Sequence, residues 1–273
     1  MKNKLAAIYS VFDSEELLQN SIDCIRDFVE YVVVVYQEIS NFGNYHRKDL
    51  YQFLKTIKGI DEIVLFVPNL SIYPHQNEIN KRAQGCKVSI EKECSHFLHI
   101  DCDEMYEPLR FQYAKNKIVN NDYDSSVCVI RDYYKFRNLS VVSQDISYVP
   151  FIHKLQPGIT KLGINLPYPV SVDNTRKALP NDKFYSFEEE EIIMHHYSWI
   201  REEVKIKLLN STARMSYNHF LDDIVKEYEN FCITDNLVKL ETGLLIPESL
   251  IVRHRDKIPY KYKPVLTKKI FNM

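Results

Sequence analysis

Apolar residues fall into two rhythms along the first hundred positions. Leu5 to Phe12 is an almost unbroken apolar run, halted by Asp13-Ser14-Glu15-Glu16, and reads as a strand. Ser14 stands where a helix N-cap belongs, and Leu17, Leu18, Ile22 and Ile25 follow at helical spacing. The stretch YVVVVYQ (31–37) holds four consecutive valines between polar residues. Such a run suits a strand covered on both faces of a parallel sheet. SNFGN (40–44) is a loop, Tyr51 to Ile57 belong to a second helix, and DEIVLFVP (61–68) is a third strand closed by Pro68. Glu78 to Glu93 are helical in character, and HFLHI (96–100) is a fourth strand.

Alternation of strand and helix predicts an α/β chain with a Rossmann-like, mostly parallel central sheet. In open sheets of this kind, ligands sit beyond the carboxyl ends of the strands. Asp13, Gln37-Glu38, Pro68-Asn69 and Asp101 to Asp103 all fall at such ends. Further on, Leu109 to Val119 look helical and SSVCVIRDYYKF (125–136) is a strand. Residues 139–187, with Pro150, Pro157, Pro167, Pro169 and Pro180, read as loop-rich, and long irregular segments tend to be binding loops or lids. FEEEEIIMHHYSWIREEVKIKLLNS (187–211) is strand-like and turns into a charged helix. No internal repeat or low-complexity linker interrupts the 273 residues.

Composition narrows the class. The chain is 45% hydrophobic and 26% charged with net charge −2, as expected of a globular protein. Six glycines against 19 tyrosines argue against Gly-rich phosphate loops. No apolar stretch approaches a membrane span, and Leu5 to Ile8 are too brief for a signal-peptide core, so a cytoplasmic location is expected. The six cysteines (24, 86, 94, 102, 128 and 232) include no C-x-x-C pair. They point to a reducing compartment rather than to disulfides or structural zinc, with Cys24 and Cys128 as small buried residues. Charge is uneven: residues 251–273 carry seven Lys/Arg against one Asp, with Tyr260, Tyr262 and Phe271 between them. Such a tail, with Arg253, Arg255, Lys257, Lys261 and Lys263, either packs on the acidic body or touches nucleic-acid phosphates or an anionic membrane surface.

The chemistry concentrates in HFLHIDCDEMY (96–106). Carboxylates at the end of a buried strand are costly to desolvate unless a metal ion, an Arg or Lys, or water meets them. At a two-residue spacing Asp101 and Asp103 face the same side of an extended chain, where they can share a divalent ion with oxygen ligands, Mg²⁺ or Mn²⁺. In IIMHHYSWIR, His195 and His196 face opposite sides, so one can reach a metal while the other packs. Arg201, Lys205 and Lys207 follow and can neutralise phosphate.

The ordered set AAIYSVFDSEELLQNSI, VVVVYQEISNFGN, NKRAQGCKVSIEKECSHFLHIDCDEMYEP, YPVSVDNTR and MHHYSWIREEVKIKL resembles GT-A-type glycosyltransferases of the family-2-like group, of stand-alone bacterial or phage type. The resemblance runs to about residue 215. It implies a catalytic domain over 1–215, with a nucleotide-sugar half to about 105 and an acceptor half after it, and a helical and basic extension over 216–273. It also implies Mn²⁺ or Mg²⁺ bound by Asp103, with Asp101 assisting or holding the ribose, and His195 or His196 as a late ligand. Asp13 and Gln37 or Glu38 would contact the nucleoside. Lys81 or Arg82 would approach the phosphates, as would Arg201 and Lys205; Ala83 replaces the Asn usual in such chains. An inverting enzyme needs a carboxylate base, for which Asp173, Glu190 and Glu191 are candidates; a retaining one needs none.

The implied activity is transfer of a sugar from a nucleoside-diphosphate sugar to an acceptor hydroxyl of a glycan, or of a hydroxylated base in DNA held by the basic tail. A nucleotidyltransferase is the competing enzyme class, but its Gly-rich loop is replaced by VFDSEE. A non-catalytic nucleotide- or glycan-binding module with a degenerate site is the third reading.

Overall fold

Continuous apolar runs need cover on both faces, and the first strands obtain it. All seven residues of β1 (Leu5–Val11) are buried, as are five of the six in β2 (Tyr31–Tyr36). The computed structural model describes residues 3–46, 49–137, 139–143, 147–155, 162–179, 182–201, 203–231 and 262–266. Around those two strands the chain adds α1 (Glu15–Ile25), α2 (Leu50–Leu54), β3 (Glu62–Leu65), α3 (Pro74–Glu91) and β4 (His96–Asp101). There follow β5 (Glu104–Met105), α4 (Pro108–Asn120), β6 (Ser125–Tyr134), β7 (Leu139–Ser143), β8 (Tyr148–Lys154) and β9 (Phe184–Ser186). The last elements are β10 (Ile193–Trp199), α5 (Val204–Asn210), α6 (Arg214–Tyr217), α7 (Leu221–Asn230) and β11 (Tyr262–Leu266).

The chain divides into two compact units, Met1–Val129 with Tyr148–Met194, and Ile130–Ser147 with His195–Met273. In the first, β3, β2, β1 and β4 lie side by side and parallel, the Rossmann-like α/β arrangement that the alternating pattern predicts. β8 then pairs antiparallel with β4, the start of β6 antiparallel with β8, and β9 parallel with β6. Ile8, Val33, Val35, Cys86, Val88 and Phe97 form the heart of the apolar core on one face of this sheet.

Three local expectations change. Ser14 does not cap α1: its backbone is left-handed (φ 65°), no side-chain cap bond forms, and its hydroxyl donates to Asp13 at 3.2 Å. Helix α3 starts at Pro74 rather than Glu78, with the proline in the first turn, where its missing N–H costs nothing. β8 lies inside the proline-rich stretch read as loop. Pro150 cannot donate to a ladder, but it sits at a register shift opposite Val127. The Ser126 hydroxyl repairs the irregularity, donating to the Ile152 carbonyl at 2.9 Å and accepting from the Ile152 amide at 3.1 Å.

The second unit is held by aromatic packing. Tyr134, Val204, Leu208, Leu221, Ile224, Val225, Tyr228 and Phe231 form its core, with Trp199 and Phe136 against it. Lys135 closes the end of α7, its ammonium donating to the carbonyls of Tyr228, Glu229 and Phe231 at 2.7, 2.8 and 2.7 Å. β11 pairs antiparallel with β7, Lys263 opposite Val142. Arg253, Arg255, Lys257 and Lys261 of the basic tail lie outside the described residues. No helix among the described residues is long and apolar enough to cross a membrane.

Two tests follow from the first unit. A Cβ at Gly85 of α3 would meet Ile8 Cγ2 at 2.2 Å and Val35 Cγ2 at 3.3 Å. Ala is favoured over Gly in a helix by about 1 kcal/mol, whereas overpacking costs about 1–3 kcal/mol. Gly85→Ala should therefore unfold at lower urea concentration; a midpoint raised above that of the unaltered chain would refute the close approach.

His96 and His153 face the same test through pH. Burial pushes both down to about 4, with the Lys154 charge adding to the effect on His96. The unfolded chain takes up these protons below about pH 6.5, while the folded chain refuses them until about pH 4. Stability should be full above that upper value and fall on acidification across the interval, by up to roughly 1.4 kcal/mol per pH unit for each histidine. Urea titrations at pH 7 and pH 5 read the slope, and His96→Asn should make it shallower while the share of His153 remains.

Candidate functional site

Asp101 ends β4, level with Ser10 of β1, which is in turn level with Val35 of β2. Helix α3 crosses this face with Gly85 on Ile8, so Arg82, one turn nearer the helix start, reaches the strand ends. Its Nη2 lies 3.3 Å from both Asp101 oxygens and 3.2 Å from Glu78 Oε1. Glu78 also meets Lys81 Nζ at 3.4 Å and accepts from Asn41 at 3.5 Å. Asn41 accepts in turn from Gln37, the residue after β2, at 3.3 Å.

A second guanidinium arrives from far along the chain. Arg176 ends a single 3-10 turn, Asn174–Arg176, whose N-cap Asp173 accepts from the Thr175 amide at 2.8 Å. Arg176 Nη2 donates to Asp101 Oδ2 and Glu104 Oε1, both at 2.6 Å. Its Nη1 donates to Glu104 Oε2 at 2.9 Å, and its Nε lies 3.5 Å from Asp173 Oδ2. Glu104 also accepts from the Asp101 amide at 3.0 Å, tying the turn after β4 together.

Electrostatics follow from this arrangement. Burial alone would raise the Asp101 carboxyl, but Arg176, Arg82 and Lys81 outweigh it and hold the group well below the usual carboxylate range. Burial would lower both guanidiniums, yet Asp101 holds them up, with Glu104 adding at Arg176 and Glu78 at Arg82. His99, buried beside them, is pushed well down, first by burial and then by the charges of Arg82 and Arg176. The Asp101 side chain is 32% exposed, whereas those of Arg82 and Arg176 are 2% and 4% exposed. Among the described residues, Arg82 Nε and Nη1, Arg176 Nε, Ser10 Oγ, Gln37 Oε1 and His99 Nδ1 are buried without a hydrogen-bond partner.

Of the residues singled out in the sequence, Gln37, Lys81, Arg82, Asp101 and Asp173 therefore share one network. Asp103 is buried in a turn; because the strand ends at Asp101, strand alternation does not set the relative direction of the two carboxylates. Asp13 follows β1 and accepts from Ser14, while Glu38 is exposed. Glu191 accepts from Lys117 Nζ at 2.6 Å and Tyr185 at 3.1 Å, and Glu190 is exposed.

The remaining candidates belong to the second unit. His195 is fully buried with Nδ1 at 2.8 Å from the Tyr133 hydroxyl. His196 Nδ1 lies 2.7 Å from Asp132 Oδ1. Arg201 donates to the Ser198 carbonyl at 3.0 Å, and Lys205 pairs with Asp222 at 2.9 Å. No group of three His, Cys, Asp or Glu among the described residues is arranged to hold a metal ion. Glu78 and Asn41 escaped the sequence reading, Glu104 entered it only within the carboxylates of HFLHIDCDEMY, and Arg176 only within the motif YPVSVDNTR; nothing in their spacing announces that they meet.

No family model matches the chain, and no curated protein matches it. Among solved structures, S. aureus TarS is 18% identical over 47% of this chain, with a TM-score of 0.35, and the chain spans 22% of that protein's length. Residues 1–349 of S. aureus TarS are 13% identical over 87% of this chain and 79% of that one, with a TM-score of 0.42. Glucosyl-3-phosphoglycerate synthase from Mycobacterium tuberculosis, in complex with Mn²⁺, UDP and phosphoglyceric acid, is 11% identical over 49% of this chain and 44% of that one, at 0.31.

Removing one member of a buried ion pair typically costs about 3–5 kcal/mol, whereas replacing both is often near neutral. Arg176→Ala should lose that much in urea unfolding, and Arg176→Gln combined with Glu104→Gln should lose far less. Equal losses would show that the charge pairing is not what the turn depends on.

Proposed function

We propose that the chain is a glycosyltransferase that takes its sugar from a nucleoside-diphosphate donor at the carboxyl edge of β1, β2 and β4. One observation carries the reading. At the sheet edge where open α/β folds bind ligands, an ionised, partly exposed Asp101 is backed by two buried guanidiniums, and Arg82 keeps Nε and Nη1 unpartnered among the described residues. Buried donors are rarely left unmade, and an anionic ligand with several acceptor oxygens satisfies them. The motif order behind the resemblance to GT-A-type enzymes brings its acidic segment to the same edge.

Within this reading Gln37 and Asp13 meet the nucleoside, and Lys81 and Arg82 the diphosphate. The oxygen donors of Asp101 and Asp103 fit a hard divalent cation, Mn²⁺ or Mg²⁺, that keeps phosphate oxygens among its ligands. Such an ion, when bound, screens the charge on the departing diphosphate. Of the carboxylates considered as base, Asp173 joins the Asp101 network through Arg176, whereas Glu191 is held by Lys117 and Tyr185; we assign the role to Asp173. The acceptor is a glycan hydroxyl; the alternative, a hydroxylated base in DNA, rests on the basic tail and predicts DNA binding that weakens steeply with salt.

A thermal-shift panel of UDP, GDP, CDP and dTDP, with and without Mn²⁺, tests the donor site. A ligand at a hundredfold excess over its Kd stabilises the native state by about 2.7 kcal/mol. One nucleoside diphosphate should raise the melting temperature by several degrees, and Arg82→Gln should abolish the shift. No shift with any of the four would remove the reading.

A further inference from the structure

We propose that the loop over residues 67–73 and the neighbouring tip at Tyr45 seat the first unit on an anionic lipid surface. The proposal goes beyond the donor site and does not depend on it.

Residues 63–77 contain no Asp, Glu, Lys or Arg, yet several of their apolar side chains stand in solvent. Val67 is 72% exposed, Leu70 58% and Tyr73 79%, and Tyr45 is 80% exposed. The two tips adjoin. A Cβ built on Gly43 would lie 3.5 Å from Leu70 Cδ1, and Tyr45, just beyond, pairs with Ile39. Apolar residues scattered singly over a surface need no explanation, but a grouped set marks an interaction site.

The loop is built rather than slack. Asn77, fully buried, accepts from the Asn69 amide and donates to the Asn69 carbonyl, both at 2.9 Å. The Asn69 side chain accepts from the Ser71 amide at 2.9 Å, and its carbonyl accepts from the Ile72 amide at 3.3 Å. Backbone groups satisfied within the chain can leave water at little cost. A pre-formed tip also loses little entropy on docking.

Charge selects the occupant. Residues 43–60 carry Arg47, Lys48, Lys55 and Lys58 against Asp49 alone. Lys55 Nζ stands 4.2 Å from the centre of the Tyr51 ring, which stacks on Tyr36 at the end of β2. Leu65, 44% exposed, is level with Tyr36. Cations beside exposed tyrosines and aliphatics match a leaflet with anionic headgroups, whose interface takes up amphipathic rings. A second copy meeting the same face would set those cations against themselves. The exposure of Tyr45 and Tyr73 also fits insertion between headgroups, because side chains of a flat protein-binding patch cover one another.

Co-sedimentation with vesicles of equal parts phosphatidylcholine and phosphatidylserine, without nucleotide, tests this surface apart from the donor site. The chain should bind these vesicles about tenfold or more tightly than pure phosphatidylcholine, and less tightly as salt rises. Val67→Ser with Leu70→Ser, both solvent-facing, should weaken binding about tenfold while circular dichroism shows an unchanged fold. Saturating vesicles should slow amide hydrogen exchange across residues 67–73. No binding to the mixed vesicles would overturn the proposal. Full-strength binding by the double variant would overturn it too, leaving the basic tail as the attachment. So would self-association that the double variant abolishes, which assigns the face to a second copy.

Discussion

The neutralisation of Asp101 and Glu104 by Arg176 and Arg82 is the constraint around which the first unit is arranged. Each ion taken singly into the interior carries a penalty of several kcal/mol, so the buried guanidiniums stand where they do because carboxylates meet them. The turn after β4, the middle of α3 and the 3-10 turn at Asn174–Arg176 are thereby held to one point. From there the polar chain continues through Glu78 and Asn41 to Gln37, which joins the end of β2 to the same cluster.

Apolar packing supplies the precision. Gly85 lets α3 settle on Ile8 and Val35, and that contact fixes how far along the sheet Arg82 stands. A larger residue at 85 would lift the helix and lengthen the Arg82–Asp101 contact, so a packing detail of the core sets an electrostatic distance at the edge. The other side of β4 is closed by β8, an antiparallel strand that accommodates Pro150 at a register shift. His153 of β8 stacks on Phe97 of β4 and bonds Tyr168 at 2.6 Å, which anchors the segment leading to Asp173 and Arg176.

The second unit follows a different logic. Its core is aromatic and aliphatic, and several of its polar groups pair within the unit: Lys135 with the end of α7, His196 with Asp132, and His195 with Tyr133. A carboxylate on one ring nitrogen orients a histidine for use of the other. The pair Asp132 and His196 was not readable as such, because 64 residues separate them.

Much of the first unit was legible because its strands are apolar without interruption. Such segments have to be covered on both faces, which dictates a parallel sheet flanked by helices and puts Asp101 at a carboxyl end. Ser14 misled, since a residue type favoured at N-caps also tolerates the left-handed turn that Ser14 adopts here. β8 was hidden because prolines argue against a strand and nothing local announces the register shift that admits one. The partners of Asp101 were beyond reach for a different reason. Arg82 lies 19 positions away and Arg176 lies 75, and no local rule connects residues so far apart. The sequence by itself determined that a buried strand ends in carboxylates requiring positive charge; only the tertiary structure decided that two buried arginines meet Asp101, because that choice depends on helix placement and on the path of a distant loop.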